Sequence, residues 1–305
     1  MKVLISDGLS EAGQKILIDA GFDVVNHKYP AEELPGAIAD FDAIMVRSAT
    51  KVTREVIDAG SSLKVIARGG VGLDNIDVEY AKSKGIAVLN TPAASAISVA
   101  ELAIGHMLAL SRNLHLSTTA MREGKWPKKE YSKGFELFQK TLGVIGLGSI
   151  GKEVARRGIG LGMNVIAFDP LYSPMNFFIE ITSAEEVYKR ADIITLHVPF
   201  IKSVGPLLTK REFDMMKNGV VIINCARGGV VKEVDLLEAL NSGKVQAAGI
   251  DVFENEPPTE AQNELINHPN VSVSPHIGGS TIEAQDRIGI EIAQKVVETL
   301  RAHAS

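Results

Sequence analysis

Arg227, Glu256 and His276 each stand just past a short β-branched run. They lie in Asn224-Cys225-Ala226-Arg227-Gly228-Gly229, in Asp251-Val252-Phe253-Glu254-Asn255-Glu256-Pro257-Pro258, and in Ser274-Pro275-His276-Ile277-Gly278-Gly279-Ser280-Thr281. A guanidinium binds a carboxylate and the neighbouring oxygen through two parallel donors, which fixes the face that a substrate carbon presents. A histidine titrates near neutrality, so it can take a hydroxyl proton and return it. A carboxylate beside it holds the ring and stabilises its positive form. Together the three could oxidise or form a 2-hydroxy acid. Singly, each has a plainer reading: a capping or phosphate contact for Arg227, a solvated loop acid for Glu256, a turn histidine for His276. Their shared place at the C-terminal edges of strands favours the catalytic one.

Such chemistry needs a hydride acceptor, and the loop Gly146-Leu147-Gly148-Ser149-Ile150-Gly151 supplies a place for one. A lone GxGxxG is a weak signal, because glycine-rich turns are common. Here a strand ends at Gly146 and a helix begins within the motif. Gly146 then permits the tight turn, Gly148 lets backbone approach a pyrophosphate, and Gly151 lets helix and strand pack closely. The helix start, with Ser149 and Ile150, offers N–H groups to the phosphates. Asp169 ends the next strand, where its carboxylate can accept from the adenosine ribose hydroxyls and repel a 2′-phosphate. No basic residue follows directly (Pro170, Leu171, Tyr172), so NAD is expected rather than NADP.

The elements that must position these residues follow from pattern. Strand-like runs at 2–7, 23–27, 43–48, 64–68 and 87–90 alternate with helical stretches, which predicts a first doubly wound unit. A second series, 141–146, 164–169, 192–198, 219–225, 247–252 and 271–274, predicts a six-stranded dinucleotide-binding domain. A long apolar-periodic helix at 98–114 separates the two, followed by a basic, partly irregular stretch at 121–140. The last segment, 281–302, is helical with no strand after it, and a lone terminal helix needs a surface to cover. It is expected to return to the first unit. The fold class is therefore α/β, two doubly wound parallel-sheet domains, with a Rossmann domain (97–276) inserted in a flavodoxin-like domain (1–96 and 277–305).

Composition narrows the partners. Hydrophobic residues at 45% and charged residues at 23% suit a globular chain of two domains. A net charge of -5 gives no reason to expect nucleic acid or an anionic membrane. No apolar run is long enough to span a bilayer, and the apolar part of the N-terminus is too short for a signal peptide. Cys225 is the only cysteine, so no intrachain disulfide forms, and a cytoplasmic location is expected. The seven histidines show no metal-ligand spacing, and no metal is expected.

At these blocks the sequence resembles the D-isomer-specific 2-hydroxyacid dehydrogenases, over essentially the whole chain and with the Arg, Glu-Pro and Pro-His blocks in order. The resemblance implies that Arg227, Glu256 and His276 are the catalytic set. It implies that Asp251 contacts the nicotinamide carboxamide, with Cys225, Ala226, Arg227, His276, Gly278 and Gly279 near that end and His197-Val198-Pro199 also lining the cofactor. Within the family the chain looks most like the phosphoglycerate dehydrogenases, in a short form without their regulatory domains. That narrower likeness rests on Val46-Arg47-Ser48-Ala49-Thr50-Lys51-Val52-Thr53 and Ala67-Arg68-Gly69-Gly70-Val71-Gly72-Leu73-Asp74-Asn75. It implies that Arg47, Ser48 and Arg68 meet a substrate phosphate and that Gly69-Gly70 cradle a carboxylate, together with Arg227 and His276. The plainer reading of either arginine is a surface ion pair.

The expected reaction is NAD-dependent oxidation of D-3-phosphoglycerate, in a cleft that closes on substrate. A glyoxylate or hydroxypyruvate reductase would keep the same three residues, and a NAD-sensing corepressor-like protein would share the fold. The apolar stripe Val99, Leu102, Ala103, Met107, Leu110 is read as more than one domain face requires, and with the habit of the family that the chain resembles it suggests a homodimer. The cluster Lys125, Lys128, Lys129 and Lys133 around Trp126 is read as a solvated face, the alternative being a reach into a partner subunit's site. Two positions depart from the pattern: Ser95, where many relatives have asparagine, and Ser203-Val204-Gly205-Pro206, which replaces a threonine-rich segment.

Overall fold

Apolar runs of four to six residues cannot bury both faces alone, and here they assemble into two sheets whose strands all pair in parallel. The structure, a computed structural model, describes residues 1–171 and 179–303; Tyr172 lies outside them. The chain divides into two units, Met1–Ala96 with Gly279–Ser305, and Ile97–Gly278.

The first unit opens with β1 (Lys2–Ile5), α1 (Glu11–Asp19), β2 (Asp23–Asn26), α2 (Leu34–Ala37) and β3 (Ala43–Val46). It continues through α3 (Arg54–Ala59), β4 (Val65–Arg68), α4 (Val78–Ser83) and β5 (Ala87–Asn90). The strand order is β2-β1-β3-β4-β5, the flavodoxin-like order. The second unit runs from α5 (Ala96–Ser111), whose first residue belongs to the first unit, through α6 (Leu114–Arg122), β6 (Thr141–Ile145), α7 (Ser149–Gly160), β7 (Asn164–Phe168) and β8 (Glu180–Ile181). Then come α8 (Ala184–Arg190), β9 (Ile193–Leu196), α9 (Lys210–Met215), β10 (Val220–Asn224), α10 (Glu233–Asn241), β11 (Val245–Ile250), α11 (Asn263–Ile266) and β12 (Val271–Val273). Their order, β12-β11-β10-β9-β6-β7-β8, is the Rossmann order with one added edge strand at β12.

The last helix, α12 (Ile282–Ala302), packs on α1 and against β4 and β5. Its buried stripe Ile292, Ala293, Val296 and Leu300 closes one face of the first sheet over Val3, Ile5, Ala43, Met45, Val65 and Ala67. The two helices touch backbone to backbone: a Cβ on Gly13 would stand 2.6 Å from the Gly289 carbonyl oxygen.

Three expectations are corrected. The second sheet has seven strands, not six; β8 is two exposed residues long and carries no periodic signal. The helix expected over 98–114 stops at Ser111, and a second one starts at Leu114 after Asn113, whose φ of 53° breaks the spiral. The stripe Val99, Ala103, Met107 and Leu110 is buried in the core of its own unit, so it offers no face to a second copy. What the two helices leave exposed is Ile97, Leu108, Leu114 and Met121. Among the described residues no helix is long and apolar enough to cross a membrane, and no three His, Cys, Asp or Glu side chains gather as a metal ion would require.

Candidate active site

β6 lies between β7 and β9, where the strand order of the second sheet reverses, and its C-terminal end opens the glycine loop. In doubly wound sheets this reversal is where ligands bind. Gly146 has φ 93°, and a Cβ there would stand 2.4 Å from the His197 carbonyl oxygen at the end of β9. A Cβ on Gly151 would stand 1.9 Å from the Gly146 carbonyl oxygen, so only glycine closes this turn. Gly148 is different: nothing lies within 4 Å of the position its Cβ would take. It caps α7 without any side-chain hydrogen bond, which leaves the first N–H groups of the helix to an anion. The loop therefore fits a pyrophosphate: tight where it turns and open where a phosphate would arrive.

Asp169, just past β7, accepts from the Leu147 amide through Oδ2 (2.7 Å) and from the Leu171 amide through Oδ1 (2.8 Å). Both oxygens keep lone pairs for ribose hydroxyls, and Pro170 and Leu171 bring no positive charge. His197 sits opposite Gly146, followed by Val198 and Pro199. Its Nε2 lies 2.8 Å from Thr195 Oγ1, and its Nδ1 is buried without a partner. The residue keeps some exposed surface, yet burial of the ring pushes it down to about 3, so it is neutral at physiological pH. Cys225 is buried, and burial, with Asp251 nearby, pushes its thiol up; it packs and does not react.

Arg227 is delivered by the turn after β10. Buried Asn224 holds that turn from both sides, donating to the Arg227 carbonyl (3.1 Å) and accepting the Ala226 amide (3.1 Å). Arg227 Nη1 donates to the Ala226 carbonyl at 2.7 Å. The next residue has to be glycine, since a Cβ on Gly228 would fall 1.7 Å from the Phe253 carbonyl oxygen. That contact seats the Arg227 turn on the loop that carries Glu256. A reciprocal pair ties the same two segments: the Glu254 amide donates to Glu233 (2.6 Å) and the Glu233 amide donates to Glu254 (3.0 Å).

Glu256 and His276 meet directly, Oε2 to Nδ1 at 2.6 Å, and Glu256 Oε1 accepts the Phe253 amide at 3.1 Å. Burial raises the Glu256 carboxyl, but the bond and charge of His276, the Phe253 amide and the Arg227 charge outweigh it and hold it below the usual range. An ionised Glu256 is acceptor-only, so the hydrogen between them rides on His276 Nδ1 and Nε2 is left for a substrate. His276 has φ 53°, a region that a histidine keeps only when neighbours hold it. Asp251 does so: its carbonyl accepts the His276 amide (2.8 Å), and its carboxylate accepts the amides of Ile277 and Gly278 (both 2.9 Å). Gly278 belongs to this turn, whereas Gly279 falls in the first unit, beside Ser95.

In the first unit the strand order reverses at β1, and the loops after β1 and β3 meet there. Asp7 accepts the amides of Arg47 (2.8 Å) and Thr50 (2.9 Å). Arg47 lines a cavity of about 260 Å³ with Asp7, Ser10, Gly69 and Gln285, and a second of about 640 Å³ with Ser280 and Asp286. Its Nε is buried without a partner; burial lowers the guanidinium and Asp7 opposes that. Arg68 is used otherwise. Its Nε donates to the Arg47 carbonyl at 3.2 Å and its Nη1 to the Gly72 carbonyl, so it clamps loops together. Asn75 adds bonds to the Arg47 and Thr50 carbonyls, 2.8 and 2.6 Å. Gly70 has φ 155°, and Ser48 is exposed.

The second unit thus joins Arg227, Glu256 and His276 within one set of strand-end loops, while Arg47, Arg68, Gly69 and Gly70 belong to the first. Asn224 and Ser274, which pin these loops, are not singled out by sequence. Asn224 signals itself only as a polar residue closing the apolar run 220–223, and Ser274, after Val271-Ser272-Val273, gives no signal.

Comparison with known proteins agrees with this geometry. Residues 104–278 match the family described as D-isomer specific 2-hydroxyacid dehydrogenase, NAD binding domain. The chain is 48% identical over 301 residues to a hydroxypyruvate reductase of Thermotoga maritima, covering 98% of each chain. It is 47% identical to a D-3-phosphoglycerate dehydrogenase of Methanocaldococcus jannaschii, spanning 99% of this chain but 58% of that protein. Among solved structures, a glyoxylate reductase from Paecilomyes thermophila superposes with a TM-score of 0.88 at 32% identity, over 97% of this chain and 94% of that one. The glycine loop, the strand-end Arg, Glu and His, and these likenesses lead to one assignment: the chain belongs to the D-isomer-specific 2-hydroxyacid dehydrogenases, with NAD as its cofactor.

Proposed function

We propose that the protein oxidises D-3-phosphoglycerate to 3-phosphohydroxypyruvate. The observation that carries this reading is Arg47, whose buried Nε has no partner in a cavity that also holds Ser10 and Gln285. A guanidinium Nε denied both water and a protein acceptor favours an anionic ligand, and phosphate can meet the group with two oxygens. Arg227 takes the substrate carboxylate and fixes the face of the reacting carbon. His276 Nε2 receives the hydroxyl proton as the hydrogen on that carbon leaves as hydride, and Glu256 stabilises the imidazolium so formed. NAD, when bound, supplies the hydride acceptor. Gly146, Gly148, Ser149, Ile150 and Gly151 would hold its pyrophosphate, Asp169 its ribose, His197, Val198 and Pro199 the facing wall, and Cys225, Ala226, Asp251 and Gly278 its nicotinamide end. Gly70 would offer its backbone amide to the substrate carboxylate, while the Gly69 amide is spent on the Val46 carbonyl (2.9 Å) and fixes the turn. Arg68 serves that site by holding the Arg47 loop through Nε and Nη1 and would also meet the substrate phosphate. The active form is a cytoplasmic homodimer; a light-scattering mass of one chain would end that part of the reading.

A second reading has its own support. The hydroxypyruvate reductase of Thermotoga maritima is as similar to this chain, at 48% identity, as the phosphoglycerate dehydrogenase of Methanocaldococcus jannaschii, at 47%. Steady-state assays with 3-phosphoglycerate and NAD, and with hydroxypyruvate, glyoxylate or phosphohydroxypyruvate and NADH, separate the two. A higher kcat/KM for phosphohydroxypyruvate than for hydroxypyruvate is expected. Equal or better use of hydroxypyruvate gives the site to the reductase reading.

A further inference from the structure

A polar chain runs from helix α5 to the His276 turn, and the reaction itself does not use its first members. His106 is buried and pressed on β11: a Cβ on Gly249 would stand 2.6 Å from His106 Cβ. Its Nδ1 lies 2.9 Å from Ser272 Oγ, and its Nε2 lies 3.0 Å from Ser274 Oγ. Ser274 donates to Asp251 Oδ1 at 2.5 Å. Asp251 then holds the amides of Ile277 and Gly278 with its carboxylate and that of His276 with its carbonyl.

Donor counting fixes the hydrogens. An ionised carboxylate only accepts, so the single hydroxyl hydrogen of Ser274 goes to Asp251. Ser274 can then only accept from His106, which puts the ring hydrogen on Nε2. Nδ1 is left to accept the Ser272 hydroxyl. Burial favours the neutral ring that this pattern requires; nearby Asp251 opposes it and His115 reinforces it, with the balance toward neutral. Three donors already reach the Asp251 carboxylate, and an uncommitted lone pair on Oδ2 remains for a carboxamide N–H.

We propose that His106 is a positioning residue: through Ser274 it fixes the orientation of the Asp251 carboxylate, and thereby the backbone turn that carries His276. The inference rests on the reading of His276 as the proton acceptor, and not on which hydroxy acid is the substrate. Without the Nε2–H donor, Ser274 is free to turn its hydroxyl away from Asp251, and the carboxylate is held by amides alone.

The test uses the full chain with His106→Leu and His106→Gln. The glutamine carboxamide can place an N–H where Nε2–H stands; leucine cannot. The dissociation constant of NADH, read by fluorescence, is expected to rise about tenfold in His106→Leu and to stay within about threefold in His106→Gln. kcat on any hydroxy acid that the protein oxidises should follow the same pattern. Adding Ser274→Ala to His106→Leu should cost little more than either alone, because both break one chain. In the unsubstituted protein, ¹⁵N spectra of labelled histidine should show the Nε2–H tautomer at His106. An Nδ1–H tautomer or an imidazolium overturns the relay, and so do Leu and Gln variants that fall together or a Leu variant indistinguishable from wild type. Should His106→Leu not fold, the Gln variant and the tautomer decide. NADH binding is independent of the substrate assignment, so failure of one leaves the other standing.

Discussion

His276 combines an unfavourable backbone with an exposed imidazole, and that pairing says how its role should fail. Its φ of 53° is held by Asp251, and its ring by Glu256. His276→Ala keeps the Asp251 bonds, which use backbone amides, and removes only the proton acceptor. Turnover should fall by about 10² to 10⁴, with the NADH dissociation constant changed by less than about threefold. Near-normal turnover would take His276 out of the mechanism. Arg47 makes a separate prediction. Arg47→Ala should raise KM for phosphohydroxypyruvate by about ten- to a hundredfold with kcat little changed, and leave KM for hydroxypyruvate alone. If both constants hold, the phosphate is bound elsewhere. Legibility in the sequence divides along these lines. Arg227, Glu256 and His276 can be read because residue type and strand-end position both point at chemistry. Arg68 cannot be read the same way, since only the fold shows that two of its donors go to the Arg47 and Gly72 carbonyls. Small polar residues such as Asn224 and Ser274 have no type signature at all.

Two glycines of one loop should behave in opposite ways at the level of the element. A methyl on Gly151 meets the Gly146 carbonyl oxygen, so Gly151→Ala must part β6 from α7. Gly148 has open space and an extended backbone that alanine adopts (φ -66°, ψ -167°). Gly148→Ala should therefore keep its melting temperature within about 2 °C while NADH binding weakens about tenfold or more, because the methyl occupies the phosphate approach. Gly151→Ala should lower both. A Gly148→Ala protein that binds NADH normally would move the pyrophosphate off this loop. The strands of both sheets are legible because buried parallel strands are continuous β-branched runs, and only their ends differ, by a residue or two. β8 is not legible, being two exposed residues that pair only because β7 presents an edge. The break at Asn113 escapes a periodicity argument because asparagine costs little in a helix pattern yet tolerates the left-handed turn.

At the scale of the whole molecule, buried neutral histidines set how stability responds to acid. His197 lies well below its unfolded value of 6.5, at about 3, through burial. Its folded value is depressed, so the unfolded chain takes the proton first, and the penalty grows as pH falls from about 6.5 toward 3. At pH 5 it amounts to about 2 kcal/mol. His197→Gln keeps a partner for Thr195 and removes the titration, so its loss of stability between pH 7.5 and 5 should be smaller by that amount in urea unfolding. An identical loss would mean that the ring is solvated. The glycine crossing of α1 and α12 has a consequence for synthesis on the ribosome. The stripe Ile292, Ala293, Val296 and Leu300 is translated after the entire second unit, 182 residues counted from Ile97 to Gly278. At cellular elongation rates the first sheet waits roughly 10 to 40 seconds with one apolar face uncovered. Nascent chains therefore complete the second unit before the first, because the helix that seals the first sheet is translated only after the second unit has been made.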